Sequence, residues 1–190
     1  MGQRSHPEVS ANLVLIGGRG CGKSSIAKRI ARSNRNFMLF SLDALIRYEA
    51  GGLAIPEIVE REGWRGFRRR EHAVVRKVAA FEAGAVVDAG GGVVVELDRA
   101  GNERFSEEKV GLLRRHGRVV YLQRPSGYLE LRAEEDANRP ALSAVEGFRE
   151  MMARRDPWYR RAAHHVIECG ERPKTDLAAQ VLDWFYAQER

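Results

Sequence analysis

The chain has 190 residues, of which 44% are hydrophobic and 31% are charged. This composition suits one ordinary domain with its own core and excludes a disordered or fibrous protein. No apolar run approaches a membrane span of roughly 20 residues, and the polar start MGQRSHPEVS lacks the apolar segment of a secretory signal. The cysteines are Cys21 and Cys169 alone, so we predict a reduced, cytoplasmic protein without a disulfide scaffold or zinc site.

The net charge of +6 leaves nucleic acid open as a partner. The arginines are dispersed along the chain, however, with only short clusters such as Arg68-Arg69-Arg70. Such a distribution is equally typical of an enzyme that handles an anionic nucleotide and an anionic substrate. We therefore expect a small-molecule substrate, no nucleic acid, no membrane and a monomer.

Short apolar segments alternate with longer amphipathic ones along the whole chain, which favours an α/β fold with a parallel sheet. The apolar segments predict strands that are covered on both faces: Leu13–Ile16, Phe37–Ser41, Ala85–Asp88, Val119–Leu122 and His165–Glu168. The amphipathic segments predict helices: Lys23–Arg32, Phe67–Glu82, Glu107–His116, Ser126–Ala137, Val145–Arg155 and Thr175–Gln188. The segment Leu97–Glu108 is interpreted as a polar connection.

The first predicted strand is followed by GGRGCGKS, residues 17–24, which matches the pattern G-x-x-x-x-G-K-[ST]. Its glycines let backbone N–H groups turn inward around a phosphate, and the following helix adds its positive N-terminal end. Lys23 then reaches the β- and γ-phosphates, and the Ser24 hydroxyl can ligate Mg²⁺. The motif predicts an ATP site that comprises Gly17, Gly18, Arg19, Gly20, Cys21, Gly22, Lys23, Ser24 and Ser25.

Cys21 lies inside this loop and has two interpretations. Its thiol could be acidified by the helix N-terminus and by Lys23. We favour the alternative, in which a small residue contributes its backbone N–H to the phosphate cradle.

Residues farther along the chain suit a small, polyhydroxylated and anionic acceptor. Arginines bind carboxylates bidentately, and a single aspartate can accept or orient a hydroxyl proton. An arginine on a mobile polar segment can close over the γ-phosphate. The candidates of these types, together with a glycine run that permits close approach, are Asp43, Arg68, Gly90-Gly91-Gly92, Arg132, Arg139 and Arg155. Taken singly, each could instead be a helix cap, a plain turn or an exposed arginine.

In order and spacing, these motifs resemble the shikimate kinases, from about Leu13 to the C-terminal helix. The segments GGRGCGKSS, IVEREGWRGFRRRE and EEDANRP are especially similar to one bacterial form. The resemblance implies a P-loop, three-layer α/β/α fold like that of nucleoside-monophosphate kinases, with a five-stranded parallel sheet. It also implies a substrate-binding segment over about residues 41–71 and a lid over about residues 132–145.

The resemblance further implies an activity: transfer of the γ-phosphoryl group of ATP to the 3-hydroxyl of shikimate, with Mg²⁺, in aromatic amino-acid biosynthesis. Asp43 would then act on the shikimate hydroxyls as base or orienting group, with Lys23 and the lid residue Arg139 on the transferring phosphoryl group. The implied shikimate-binding residues are Asp43, Arg68, Gly90, Gly91, Gly92 and Arg155. The implied neighbours of the adenine are Arg132, Arg172 and Pro173.

One departure from the family concerns the metal. The family's Asp-x-Asp motif appears here as Ser41-Leu42-Asp43, so the carboxylate associated with Mg²⁺ is missing. Asp88 stands two residues before the triple glycine, where the family has a small residue, and it ends the third predicted strand. Either Asp88 supplies the metal-side charge that Ser41 lacks, together with Ser24, or it caps the Gly90 turn. Both interpretations stay open.

Three functions therefore remain. The favoured one is an active shikimate kinase. The second is a ligand-sensing module with weak or no catalysis, because similar domains occur attached to DNA-binding regulators and Ser41 would be tolerated there. The third is a P-loop kinase for another small hydroxy acid. The joint presence of Lys23, Asp43, Arg68, Arg139 and Arg155 favours activity.

Overall fold

A computed structural model describes residues 9–134 and 147–189, with the side chains of residues 9–131 and 147–189. Its main sheet is entirely parallel and has five strands in the order β2-β3-β1-β6-β7. These strands are β1 (Asn12–Ile16), β2 (Met38–Ser41), β3 (Ala85–Asp88), β6 (Gly117–Gln123) and β7 (His165–Glu168). The five predicted strands are confirmed, with ends that differ by at most two residues.

The central strands are apolar because both of their faces are covered. Every residue of β1 and of β3 is buried, so neither strand shows the polar alternation of a half-exposed sheet. Side chains from helices on both sides complete this core, and Leu13, Ile26 and Phe185 are fully buried in it. The carboxyl ends of β1, β2 and β3 consequently meet at one edge of the sheet, directly before the segments with the predicted site residues.

Seven helices are described within these residues: α1 (Lys23–Ser33), α2 (Leu42–Glu49), α3 (Ile55–Val78), α4 (Glu107–Arg115), α5 (Ser126–Glu134), α6 (Phe148–Ala162) and α7 (Lys174–Ala187). Helix α1 packs against α7, and α3 packs against α2 and α4. The predicted helix ends at Ala137 and Val145 lie outside the described residues. None of the helices in the described part of the chain combines the length and apolar content needed to cross a membrane.

Helix α3 begins twelve residues earlier than the predicted start at Phe67. Pro56 lies in its first turn, where a missing N–H costs no helical hydrogen bond. The Glu57 carboxylate caps this turn by accepting the Ala54 N–H at 2.6 Å. Gly63 then kinks the helix at φ +68°. A proline and a glycine therefore begin and bend a helix whose Gly66–Arg68 stretch is buried.

The segment Leu97–Glu108 is not merely a polar connection. It contributes to a short antiparallel hairpin of β4 (Val95–Leu97) and β5 (Glu103–Phe105), followed by α4. The Asp98 carboxylate closes the hairpin turn by accepting the Asn102 N–H at 2.9 Å. Three-residue strands lie below the length at which alternation is recognisable in a sequence.

Helix α6 continues past the predicted end at Arg155 and includes Pro157. A proline inside a helix removes one backbone hydrogen bond. The buried side chains Tyr159 and Ala162 lie beyond the proline, so their packing favours the continuous helix.

Candidate active site

The P-loop, residues 17–24, connects β1 to α1 at the carboxyl edge of the sheet. Lys23 is nearly buried, and its ammonium group donates to the carbonyl oxygens of Gly17 at 2.8 Å and Gly18 at 3.0 Å. Burial by itself lowers the pKa of Lys23. The nearby Cys21 sulfur and the carboxylates of Asp88 and Asp43 outweigh that effect and raise the pKa above its ordinary value. Lys23 is therefore a permanent cation at the floor of the site.

The other P-loop residues differ in their exposure to solvent. Gly20, Ser24 and Ser25 are exposed, which leaves the two hydroxyls accessible at the start of α1. The Cys21 side chain is fully buried, and its sulfur accepts a long contact of 3.6 Å from Lys23. The Cys21 N–H donates to the Gly18 carbonyl at 3.3 Å, and its contribution to the phosphate cradle stays a prediction.

Arg124 is a residue to which the sequence had given no role. It lies directly after β6, is 6% exposed, and donates from Nε to the Cys21 carbonyl at 3.1 Å and from Nη1 to the Gly170 carbonyl. Its guanidinium carbon lies 4.5 Å from the centre of the Tyr128 ring. Arg124 thus ties the P-loop to the loop after β7. The only sequence signal was an arginine before a proline at a strand end.

The predicted substrate residues come together in one cleft beside the P-loop. The residues that line this cleft, here called the acceptor cleft, are Arg19, Asp43, Ile55, Trp64, Phe67, Arg68, Glu71, Gly90, Gly91, Gly92, Met151, Met152 and Arg155. It therefore includes Asp43, both predicted carboxylate-binding arginines and the whole triple glycine. Asp43 itself lies in the first turn of α2, while Ser41 is the residue before that helix.

The triple glycine permits the close approach of other site residues. A Cβ atom at Gly90 would lie 2.9 Å from Asp43 Oδ1, and one at Gly92 would lie 2.2 to 2.6 Å from the guanidinium atoms of Arg68. Both distances are below van der Waals contact, so a side chain at either glycine would displace Asp43 or Arg68. The glycine run forms a turn, with the Val93 N–H donating to the Gly90 carbonyl at 3.0 Å, and it lets Asp43 and Arg68 approach the backbone closely.

Arg68 is buried, not a surface arginine. Glu71 accepts from Arg68 Nη1 at 2.8 Å and from Lys109 Nζ at 2.5 Å, and all three side chains are at most 8% exposed. Burial by itself raises the pKa of Glu71, but the charges of Arg68 and Lys109 hold it below its ordinary value. The sequence had not indicated Glu71 or Lys109 as partners of Arg68.

This buried cluster predicts a pH-dependent stability. We expect Glu71→Gln to lower the free energy of unfolding by about 3 to 5 kcal/mol near neutral pH, because two buried cations lose their carboxylate. A lowered carboxyl pKa stabilises the fold above the ordinary value of 4.5, and this stabilisation is lost as the pH falls below it. Urea unfolding from pH 7 to pH 3 should therefore show the variant approaching the wild type in acid.

The matched control is Glu62→Gln on the same helix, since Glu62 pairs with Arg70 nearer the surface. We expect it to change the unfolding free energy far less than Glu71→Gln. Equal effects of the two variants would contradict the role of burial.

Arg155 is also buried and is held from two directions. It donates from Nε to Glu103 Oε2 at 2.9 Å and from Nη2 to Glu103 Oε1. It also donates to the Tyr159 hydroxyl, which in turn donates to the Gly91 carbonyl. Burial raises the pKa of Tyr159, so its hydroxyl stays protonated as a donor. The guanidinium of Arg155 is thereby connected to the triple glycine.

A second cleft of about 590 Å³ opens beyond Arg124, at the carboxyl ends of β6 and β7. Gly170 borders this cleft, and Pro173 is exposed close to it in the chain. Arg172 donates to the carbonyls of Glu168 and Cys169 and to Gln180. Arg132 lies on α5, and its side chain is outside the described part of the structure, as is Arg139 altogether. The contacts of these arginines with adenine or phosphate stay predictions.

Asp88 ends β3 at the edge of the P-loop and is 8% exposed. It is the register partner of Ser41 on β2 and of Leu15 on β1. Within the part of the chain that the structure describes, no three His, Cys, Asp or Glu residues cluster as a metal site. A site with one protein carboxylate is nevertheless compatible with Mg²⁺, which usually keeps several waters and binds nucleotide phosphates.

A five-stranded parallel sheet, a P-loop and an adjoining cleft with buried arginines define a P-loop kinase of small molecules. The model of one family, shikimate kinase, matches residues 19–186. A shikimate kinase of Leptospira biflexa is 38% identical over 91% of this chain and 94% of its own length. The chain therefore belongs to the shikimate kinase family, whose members are ATP-dependent kinases.

Solved structures of the same family resemble this chain. Shikimate kinase from Acinetobacter baumannii in complex with shikimate is 30% identical, with a TM-score of 0.79 and 94% of each chain covered. Shikimate kinase from Aquifex aeolicus is 24% identical, with a TM-score of 0.76 over 93% of this chain and 97% of its own, and it supports the fold alone. The predicted fold class and family are confirmed.

Proposed function

We propose that this chain transfers the γ-phosphoryl group of ATP to the 3-hydroxyl of shikimate with the help of Mg²⁺. The acceptor cleft carries this proposal, because beyond Arg19 of the phosphate loop it presents two buried guanidinium groups, those of Arg68 and Arg155, and one aspartate. Paired guanidiniums suit a carboxylate, and an aspartate suits a hydroxyl. Shikimate carries both groups on one small ring.

On the nucleotide side, the backbone N–H groups of the P-loop hold the phosphates. The Lys23 ammonium exchanges its carbonyl partners for phosphate oxygens when ATP binds. The cleft beyond Arg124 receives the nucleoside, since its volume lies within the range of ordinary ligand pockets. Arg132, Arg172 and Pro173 flank the adenine, and Arg139 acts on the transferring phosphoryl group.

On the acceptor side, Arg68 and Arg155 bind the carboxylate of shikimate. Asp43, against Gly90, orients the reacting hydroxyl and takes its proton. Transfer is in line, and the protein contributes positioning and charge neutralisation. The aspartate and the arginines thus hold the ring at two places.

A bound Mg²⁺ would supply positive charge at the nucleotide phosphates. We propose that Ser24 and Asp88 hold it, with Asp88 in place of the carboxylate that the family has at position 41. Ser41 and Asp88 are register partners on adjacent strands, which lie about 4.8 Å apart with their side chains on the same face of the sheet. The Asp88 carboxylate is therefore one strand away from the position of the family's carboxylate. The described contacts give Asp88 no hydrogen bond to the Gly90 turn, which disfavours the capping interpretation.

A metal titration tests this assignment. We expect Asp88→Asn to weaken Mn²⁺ binding to the ADP complex by about 10-fold, measured by electron paramagnetic resonance. The double variant Ser41→Asp/Asp88→Ser should restore the affinity, because it returns the carboxylate to the neighbouring strand. Asp183→Asn, on the exposed face of α7, is the control. Unchanged affinity in Asp88→Asn would refute the assignment.

An ADP-release assay tests the function. ATP, Mg²⁺ and shikimate should give shikimate-dependent release of ADP, while gluconate should give none above background. Shikimate binding without ADP release would support the ligand-sensing module instead. ADP release with another hydroxy acid, but not with shikimate, would show a kinase of different specificity.

We propose, as part of the same function, that the enzyme works in the cytoplasm. Both cysteines are buried and free, as in a reduced, cytoplasmic protein.

A further inference from the structure

Glu103, on strand β5 of the hairpin, contacts a predicted substrate-binding residue without lining the acceptor cleft itself. Its two carboxylate oxygens accept from Nε and Nη2 of Arg155, and Oε2 also accepts from Arg154 Nη2 at 2.8 Å. Arg155 is 2% exposed and lines the cleft. Glu103 is thus the counter-ion behind a buried arginine.

The geometry leaves part of the guanidinium for a ligand. Bidentate pairing uses the edge formed by Nε and Nη2, so the remaining N–H groups serve Tyr159 and the cleft. On the side of the guanidinium away from Glu103, Tyr159 is itself held by the hydrogen bond from its hydroxyl to the Gly91 carbonyl. Arg155 therefore has one orientation rather than the several that a long side chain otherwise samples.

The hairpin is anchored well enough to hold Glu103 in place. Arg65, on α3, donates to the Asp98 and Arg99 carbonyls at the hairpin turn at 2.9 and 3.1 Å. The guanidinium carbon of Arg161 lies 4.4 Å from the centre of the Phe105 ring, on the side of α6. The hairpin is therefore fixed to α3 at its turn and to α6 along β5.

We propose that Glu103 is a positioning residue that orients Arg155 toward the carboxylate of the acceptor. This proposal rests on the proposed function and adds a residue to it. Two effects of removing the Glu103 charge oppose each other. A more positive cleft would tighten the binding of an anion, whereas a misdirected guanidinium weakens it. The sign of the change in affinity therefore distinguishes positioning from simple charge.

The test compares Glu103→Gln with the wild type. We expect the KM for shikimate to rise on the order of 10-fold, with kcat and the KM for ATP within about twofold of wild type. Direct shikimate binding, followed by tryptophan fluorescence because Trp64 lines the cleft, should weaken by a similar factor. With the methyl ester of shikimate, which has no carboxylate charge, wild type and variant should become alike.

Glu107→Gln is the matched control, because Glu107 pairs with Arg161 and joins the same part of the chain to α6 at the surface. It should leave both KM values unchanged. Glu103→Asp retains the charge one methylene shorter, and an intermediate KM there keeps the test available if the glutamine variant does not fold. An unchanged or lower KM for shikimate would overturn the proposal. Absence of shikimate-dependent turnover in the wild type would instead refute the proposed function.

Discussion

Replacing Asp43 with asparagine is expected to lower kcat by about 10²- to 10⁴-fold, the range for loss of a general base. Asparagine has nearly the same shape, so it should retain the packing against Gly90. The substitution removes the negative charge and, with it, the ability to accept the hydroxyl proton. The KM for ATP should change little, because the P-loop is untouched.

Steady-state kinetics with shikimate as the varied substrate measures this effect. Glu49→Gln, at the exposed end of the same helix, is the control. Near-normal turnover in Asp43→Asn would show that another group receives the proton. The role of Asp43 would then be limited to binding.

Replacing Lys23 with alanine is expected to lower kcat by about 10³-fold or more, since it removes a preorganised cation at the transferring phosphate. The Lys23 ammonium is buried and its pKa is raised, so it stays charged over the whole pH range of the assay. The loss of activity in the variant should therefore be the same at every pH tested. The two carbonyls that it contacts would also lose their donor. We therefore expect some loss of thermal stability, but not unfolding.

Lys28→Ala is the matched control, because Lys28 lies on the same helix and is exposed. A fluorescent ATP analogue should bind Lys23→Ala more weakly than wild type, while far-ultraviolet circular dichroism remains similar. Normal turnover in Lys23→Ala would mean that the loop holds phosphate without its lysine, which would contradict the mechanism.

Some elements were predictable because local chemistry decides them. The strands are short apolar runs, since both faces of the sheet are covered, and a P-loop needs its glycines and lysine in one contiguous segment. The long helix α3 was predicted only in its second half, because Pro56 and Gly63 resemble loop residues when their packing is unknown. The hairpin escaped recognition because its strands have three residues each.

The sequence by itself determined the phosphate loop, the strand positions and the residue types of the acceptor site. Only the tertiary structure showed that Arg68 and Arg155 are buried, and which carboxylates hold them. Glu103 lies 52 residues from Arg155 along the chain, and Lys109 lies 38 residues from Glu71. Pairing over such separations depends on where helices and strands pack, and no local pattern records it. The same holds for Asp88 and Ser41, which the register of β2 and β3 makes neighbours.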